Sequence, residues 1–298
     1  QNSRKGGGAV IVSSETGDFL ARIRSVYNQF TRVEKKVADY IMEHPGEVIF
    51  MSITELSDAC GVGETSVFRF CRTMGMGGYQ EFKMRFSLSM QTDVGKEDVL
   101  TGAITPWDDL NALVQKVLQT EQRALSETAA LLDVKELDRA VDYLSQARRI
   151  IFFGVGASFT AALKTSHKFL RIEPKVNCVN DAHTQAMLAA TMSAEDVAVV
   201  FSYSGSTKDT NAVAELAKKN GAKVVAITRF QKSPLTEFTD VILLCGANEG
   251  PLQSGSASAD ISQAFLVDLL YTEYYRRNMD RCGPNNEKTA SSVLNKLY

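Results

Sequence analysis

Residues 199–210 read VVFSYSGSTKDT. An apolar run stops at Ser202, and Tyr203, Ser204, Gly205, Ser206 and Thr207 follow before a stretch of helical periodicity, KDTNAVAELAKKNGA (208–222). An apolar run without alternation reads as a strand covered on both faces, as in a parallel sheet wrapped by helices. The same texture recurs on either side. RIIFFGVG (149–156) runs a strand into a glycine turn ahead of the helix ASFTAALKTSHKFLRI (157–172). KVNCV (175–179), KVVAITRF (223–230) and DVILLC (240–245) are further strands, and SASADISQAFLVDLLYTEYYRR (256–277) is a long helix. Strands alternating with helices predict an α/β domain with a doubly wound parallel sheet.

The two turns, Gly154-Val155-Gly156-Ala157-Ser158 and Ser202 to Thr207, both fall at the carboxyl end of a strand and the start of a helix. Ligands of open α/β sheets bind there. A helix N-terminus presents free amides and the positive end of the dipole, which favour an anion. Serine and threonine hydroxyls add donors, and glycine lets a ligand approach the backbone. The predicted ligand is a phosphate on a small polar molecule. Competing motifs fail. GVGASF has Phe159 at the third glycine position of a dinucleotide fingerprint, and GVGETS (61–66) is too short for a P-loop and lacks its lysine. SYSGS does not supply the G-x-S-x-G of a hydrolase elbow.

Working back from the sheet, residues 19–91 read as a block of short helices, among them TRVEKKVADYIMEH (31–44) with Val33, Val37, Tyr40 and Ile41 on one stripe. A second helix begins near Thr54, a candidate cap, and ends at Gly61; a third runs from Glu64 or Thr65 to about Met74. Ser57, Gly61 and Val67 have the spacing of a tight helix-turn-helix: a small residue for close approach, a glycine for the turn, an apolar residue to pack the second helix on the first. That second helix projects Thr65, Ser66, Arg69 and Arg72 outward, with Val67, Phe68, Phe70 and Cys71 as inward candidates. Short polar groups at a helix N-terminus with arginines one and two turns on suit entry into the major groove of double-stranded DNA. Across residues 64–85, Arg69, Arg72, Lys83 and Arg85 face Glu64 and Glu81, a small surplus that suits a few directed contacts better than a broad basic footprint.

The expected boundaries are a flexible tail over 1–18, the helix-turn-helix block over 19–91, a polar linker over 92–107, leading helices and the α/β domain over 108–280, and a helical tail over 281–298 following Gly283-Pro284. The chain has 298 residues, 44% hydrophobic and 23% charged, with a formal net charge of −2. That is ordinary for a soluble two-domain protein, and any nucleic-acid contact must be local. No apolar run approaches the roughly 20 residues of a membrane helix, and no signal peptide is visible. The five cysteines form no C-x-x-C pair and are not spaced with His44, His167 or His183. They read as reduced thiols of a cytoplasmic protein, and no metal site and no cofactor is predicted.

Both constellations resemble known families. Residues 149–275, through GVGAS and SYSGSTKDT, resemble the sugar isomerase (SIS) domain, a phosphosugar-binding α/β fold; Ser202, Ser204, Gly205, Thr207, Asp209 and Thr210 fit its S-x-S-G-x-T-x-(D/E)-T turn. Residues 19–91, through KKVADYIMEHP, TELSDACGVGETSVFRFCRTMG and GYQEFK, resemble the N-terminal helix-turn-helix of the RpiR family of bacterial sugar-catabolism regulators. The paired resemblance implies a C-terminal SIS domain joined to a smaller all-α DNA-binding domain. It implies a repressor that binds a DNA operator as a homodimer or homotetramer and answers to a sugar phosphate effector. By matching position, Ser158, Ser202, Ser204 and Thr207 would hold the phosphate, Ser206 would add its amide and hydroxyl, and His183 in DAHTQ would touch the sugar. Many relatives carry an arginine shortly before the glutamine of the last long helix, whereas Asp260 precedes Gln263 here. Two other readings remain open. One is a sugar-phosphate isomerase on the same domain, for which Glu249 and His183 are the candidate bases. The other is a sensor whose N-terminal block binds another protein; the favoured reading assigns no catalytic residue.

Overall fold

The computed structural model describes residues 19–93, 107–246 and 257–296. The expected tail over 1–18 and most of the linker over 92–107 lie outside them, as does Glu249. Two units with separate cores follow one another. The first is all helical: α1 (Phe19–Val26), a 3₁₀ turn, α2 (Arg32–Glu43), α3 (Pro45–Val48), α4 (Ile53–Cys60), α5 (Glu64–Thr73) and α6 (Tyr79–Asp93). Its core joins Ile23, Val37, Ile41, Leu56, Val67, Phe70, Phe82 and Phe86, all fully buried. The sequence reading missed α1, which is only eight residues long.

Two capping boxes set the helix starts here. Thr31 and Glu34 close α2, and Ser52 and Glu55 close α4, each side chain accepting from the other's backbone amide. The cap of α4 is therefore Ser52 and not Thr54, because only Ser52 stands three residues before a glutamate. Thr54 instead donates its hydroxyl to the Glu64 carboxylate on α5. Phe68 is a second correction. Val67, Phe70, Cys71 and Met74 follow the inward i, i+3, i+4, i+7 spacing, and Phe68 lies about 100° off that line. It is 43% exposed, its ring resting over Gly78. Val33 likewise turns outward from the α2 stripe.

Lys83 on α6 does not belong to the surface charge at all. It is buried, donates from Nζ to Met51 O at 2.9 Å, and lies between the rings of Tyr79 and Phe230. Burial, only partly offset by Glu55, pushes its ammonium from 10.5 down to about 8. The folded value lies below the unfolded one, so the group's contribution to stability rises with pH between about 8 and 10.5. Below that window the fold bears the full cost of the buried charge, about 3 kcal/mol. Lys83→Met should therefore raise the unfolding midpoint at pH 7, since Met51 O keeps the Tyr79 hydroxyl at 3.1 Å. The gain should shrink towards pH 10.5 in denaturant titrations.

The second unit opens with α7 (Leu110–Leu131) and α8 (Val134–Gln146). It continues through β1 (Arg149–Phe153), α9 (Ala157–Leu170), β2 (Val176–Cys178), α10 (Ala182–Ala190), β3 (Asp196–Phe201), α11 (Lys208–Lys219), β4 (Lys223–Thr228), β5 (Val241–Leu244), α12 (Ala257–Arg277) and α13 (Met279–Ser291). The strands form one parallel sheet ordered β2-β1-β3-β4-β5. Every residue of β3 is buried: Val197 to Phe201 as their unbroken apolar run predicts, and Asp196 through its pairing with Arg149 (2.7 Å). Val197, Val199 and Phe201 face the layer of α8, α9 and α12; Ala198 and Val200 face α10 and α11. The tail differs from expectation. α13 starts at Met279 and runs through Pro284. It is pinned to the core by buried Cys282, by Arg281 on Glu173 (3.1 Å) and by Asn285 donating to Ile172 O (3.1 Å). Tertiary anchoring on both sides of the proline outweighs its local cost.

Candidate functional site

β1 and β3 are neighbours, and the chain leaves β1 for β2 on one side and reaches β3 on the other. This reversal opens a crevice between their carboxyl ends. The two hydroxyl turns meet there, about fifty residues apart in sequence. A cleft of about 220 Å³ is lined by Val155, Gly156, Ala157 and Ser158 from the first turn and Tyr203, Ser204 and Thr207 from the second; Ala259, Asp260 and Gln263 of α12 complete the wall. Ser158 stands in the first turn of α9 and Thr207 is the N-cap residue of α11, so both helix N-termini face one space. The Thr207 hydroxyl does not cap its own helix, which leaves it for a ligand. Ser204 Oγ accepts from Ser206 N at 3.2 Å, a one-residue turn that a phosphate oxygen can replace.

Of the predicted residues, Ser158, Ser204 and Thr207 share the cleft. The other three stand back from its lining. Ser202 is buried beneath the turn, where Thr210 Oγ1 lies 3.5 Å from its oxygen. Ser206 turns its hydroxyl back onto Ser204 O (3.1 Å). His183 is exposed on the first turn of α10, two residues before buried Gln185 and therefore on roughly the opposite face of the helix. Gln185 is a residue that the sequence reading passed over. Its Nε2 donates to Gly154 O (2.9 Å) and Val179 O (3.0 Å), fixing the first turn against the loop after β2. Tyr203, inside the second turn, and Gln263, on the last long helix, were assigned no ligand role from the sequence; the packing of α12 across the sheet brings Gln263 to the cleft. Asp260 is the sole charged residue of the lining among the described residues. Among these residues no group of histidine, cysteine or acidic side chains is arranged to hold a metal ion, and no helix is long and apolar enough to cross a membrane.

In the helical unit, α4 ends at Gly61 in the left-handed region (φ +60°), whose amide and that of Val62 bond back to Asp58 O and Ser57 O. This closes the turn sharply and sets α5 across α4. Thr65, Arg69 and Arg72 are exposed on the outer side of α5, and Ser66 is half-buried. Behind them Glu34 accepts from Thr73 Oγ1 (2.8 Å). Burial alone would raise its carboxyl, but hydrogen bonds from Thr31 and Thr73 and the charge of Arg69 hold it below the usual range. Arg85 is paired with Glu81 (2.9 Å). With Lys83 buried and Arg85 paired, the outward cations of residues 64–85 reduce to Arg69 and Arg72, with the Glu64 carboxylate taken up by the Thr54 hydroxyl.

The comparisons with known proteins agree with both halves. Residues 17–93 match the rpiR-family helix-turn-helix domain, and residues 143–273 match the SIS domain. The chain is 36% identical over 282 residues to an HTH-type transcriptional regulator of Haemophilus influenzae, covering 94% of this chain and 98% of that one. It is 37% identical over 264 residues to the HTH-type transcriptional regulator HexR of Pseudomonas aeruginosa, covering 88% and 91%. The structure of the Vibrio vulnificus NanR protein complexed with ManNAc-6P superposes with a TM-score of 0.83 at 30% identity, covering 94% of this chain and all of that one. With its helix-turn-helix unit preceding a phosphosugar-type α/β domain in a single chain, the protein belongs to the rpiR family of HTH-type transcriptional regulators.

Proposed function

We propose that this regulator is a cytoplasmic repressor of sugar-catabolism genes whose grip on its operator answers to a sugar phosphate held at the β1–β3 cleft. The observation that carries the reading is the convergence of Ser158, Ser204 and Thr207 at two helix N-termini. Free amides and hydroxyls suit a phosphate dianion. At the other wall Asp260 offers only acceptors, which favours a ligand whose remote end carries hydroxyls or an amine and disfavours a second carboxylate. The NanR structure with a sugar phosphate supports the class of ligand. Paired heads on a homodimer or homotetramer would read two half-sites. The absence of catalysis rests on the regulator relatives and on the DNA-reading unit; appearance of deuterium at C2 of an added aldose phosphate in heavy water would restore the isomerase reading.

A thermal-shift panel tests the cleft: N-acetylmannosamine 6-phosphate, glucosamine 6-phosphate, glucose 6-phosphate and ribose 5-phosphate, with inorganic phosphate as control. A binder at about 100 times its Kd adds about 2.7 kcal/mol of apparent stability. Ser204→Ala should weaken that binder at least roughly tenfold, the worth of a charge-assisted hydrogen bond, and leave operator affinity unchanged. An undiminished shift in the variant places the phosphate elsewhere.

A further inference from the structure

The effector turn and the DNA-reading unit are joined by one short loop. After β4 the chain runs through Arg229–Leu235, and this segment is held at both ends of a bridge. On the cleft side, Arg229 N donates to Tyr203 O (3.0 Å) and Leu235 N to Gly205 O (2.9 Å), while Thr228 Oγ1 donates to Tyr203 O (3.2 Å). Ser233 is packed so tightly on Gly205 that a Cβ there would lie 2.1 Å from Ser233 Oγ. On the other side, Lys232 O accepts from Ser52 Oγ (2.7 Å), and Lys232 Nζ pairs with Asp58 on α4 (2.6 Å). Phe230 lies under Lys83 of α6 (5.7 Å to the ring centroid). Ser52 and Ser233 are both 1% exposed, so neither attachment is a loose surface contact.

Among the described residues, four buried side-chain polar atoms have no hydrogen-bond partner, and three of them sit at this junction: Asn211 Oδ1, Arg229 Nε and Ser233 Oγ. A rearranged turn can offer these groups partners, so a shift of the strap sacrifices none of their hydrogen bonds.

From these contacts we infer that Arg229–Leu235 is the strap through which the phosphate-binding turn controls the placement of α4 and α5. The inference rests on the reading of the cleft as the effector site. When a phosphate draws Ser204, Ser206 and Thr207 onto itself, the carbonyls of Tyr203 and Gly205 move with the turn. These carbonyls hold the strap's amides, so the strap moves too. Its far attachment is the cap of α4, the first helix of the reading pair. The effector is thus coupled to the reading unit within one chain, through hydrogen bonds rather than through bulk domain motion.

Ser52→Asp separates cap from strap. Aspartate is as good an N-cap as serine, so α4 keeps its start, but a carboxylate cannot donate to Lys232 O. Lys232→Ala removes the ion pair alone. Full-length proteins are titrated with upstream operator DNA by fluorescence anisotropy, with and without the panel sugar phosphate that gives the largest thermal shift. Wild type should change operator affinity roughly 5–150-fold on adding it, the usual range of allosteric coupling. Ser52→Asp with Lys232→Ala should bind DNA and sugar phosphate each within about threefold of wild type and lose most of that change, roughly tenfold or more. Asp58→Lys with Lys232→Asp should recover part of it. A responsive wild type with an equally responsive double variant overturns the strap and leaves the cleft intact; a wild type that binds the sugar phosphate without any change in DNA affinity overturns both. Should Ser52→Asp fold poorly, Ser52→Gly with Lys232→Ala reads the same outcome, since glycine is tolerated as an N-cap and offers no donor to Lys232 O: an unaltered response overturns the strap.

Discussion

Gly154→Ala is expected to abolish sugar-phosphate binding and to cost the α/β domain about 3 kcal/mol, the upper range for overpacking a closed site. The added methyl would stand 2.6 Å from Ser158 O, 2.7 Å from Ser158 C and 2.9 Å from Phe159 N. These are backbone atoms of the first turn of α9, and no rotamer change can clear them. They are also held in place, since Phe159 N bonds to Gly156 O at 3.0 Å and Gly154 O receives Gln185. Relief requires the N-terminus of α9 to back away from β1, which removes Ser158 and its helix amides from the cleft together. The check is the thermal-shift panel beside urea unfolding: the shift should vanish and the midpoint fall. Operator binding in the absence of effector should survive, because the helical unit has its own core. A variant with wild-type ligand response would mean that this turn does not hold the sugar phosphate.

Arg69→Ala combined with Arg72→Ala should lower operator affinity by two orders of magnitude or more. Each arginine that meets a guanine edge or a phosphate contributes roughly 1–3 kcal/mol. They are the outward cations of the reading face that remain once Lys83 is buried and Arg85 is paired. Neither supports the core, so the circular dichroism and the sugar-phosphate thermal shift should be unchanged. If the arginines lie on phosphates, the slope of log affinity against log salt should also flatten by about two contacts' worth. An untouched affinity in the double variant would return the N-terminal unit to a protein-binding role.

Much of this was legible in the sequence, for reasons that differ by element. The parallel sheet was readable because a strand buried on both faces cannot alternate, and 197–201 shows that directly. The turn of the helix-turn-helix was readable because only glycine sits comfortably at φ +60° between two close helices. Phe68 escapes a reading by apolar character because angular position on the helix decides which residues are buried, and Thr54 resembles a cap because any hydroxyl near a helix start can serve as one unless a reciprocal glutamate singles out another. Half of the hydroxyl turn could not be apportioned by type: Ser202, Ser204 and Ser206 are chemically alike, and only the twist at the end of β3 decides which one faces ligand. Gln185, Gln263 and the Ser52–Lys232 bond depend on segments distant in the chain, and no local period records such a pairing.

The Ser52–Lys232 bond spans 180 residues. The helical unit closes its own core by residue 93, whereas the strap that restrains it is made about 140 residues later. At about 5–20 residues per second of synthesis, each newly made reading head spends roughly 7–30 s complete but untethered. During that interval the nascent chain has a DNA-reading surface and no sensor to govern it.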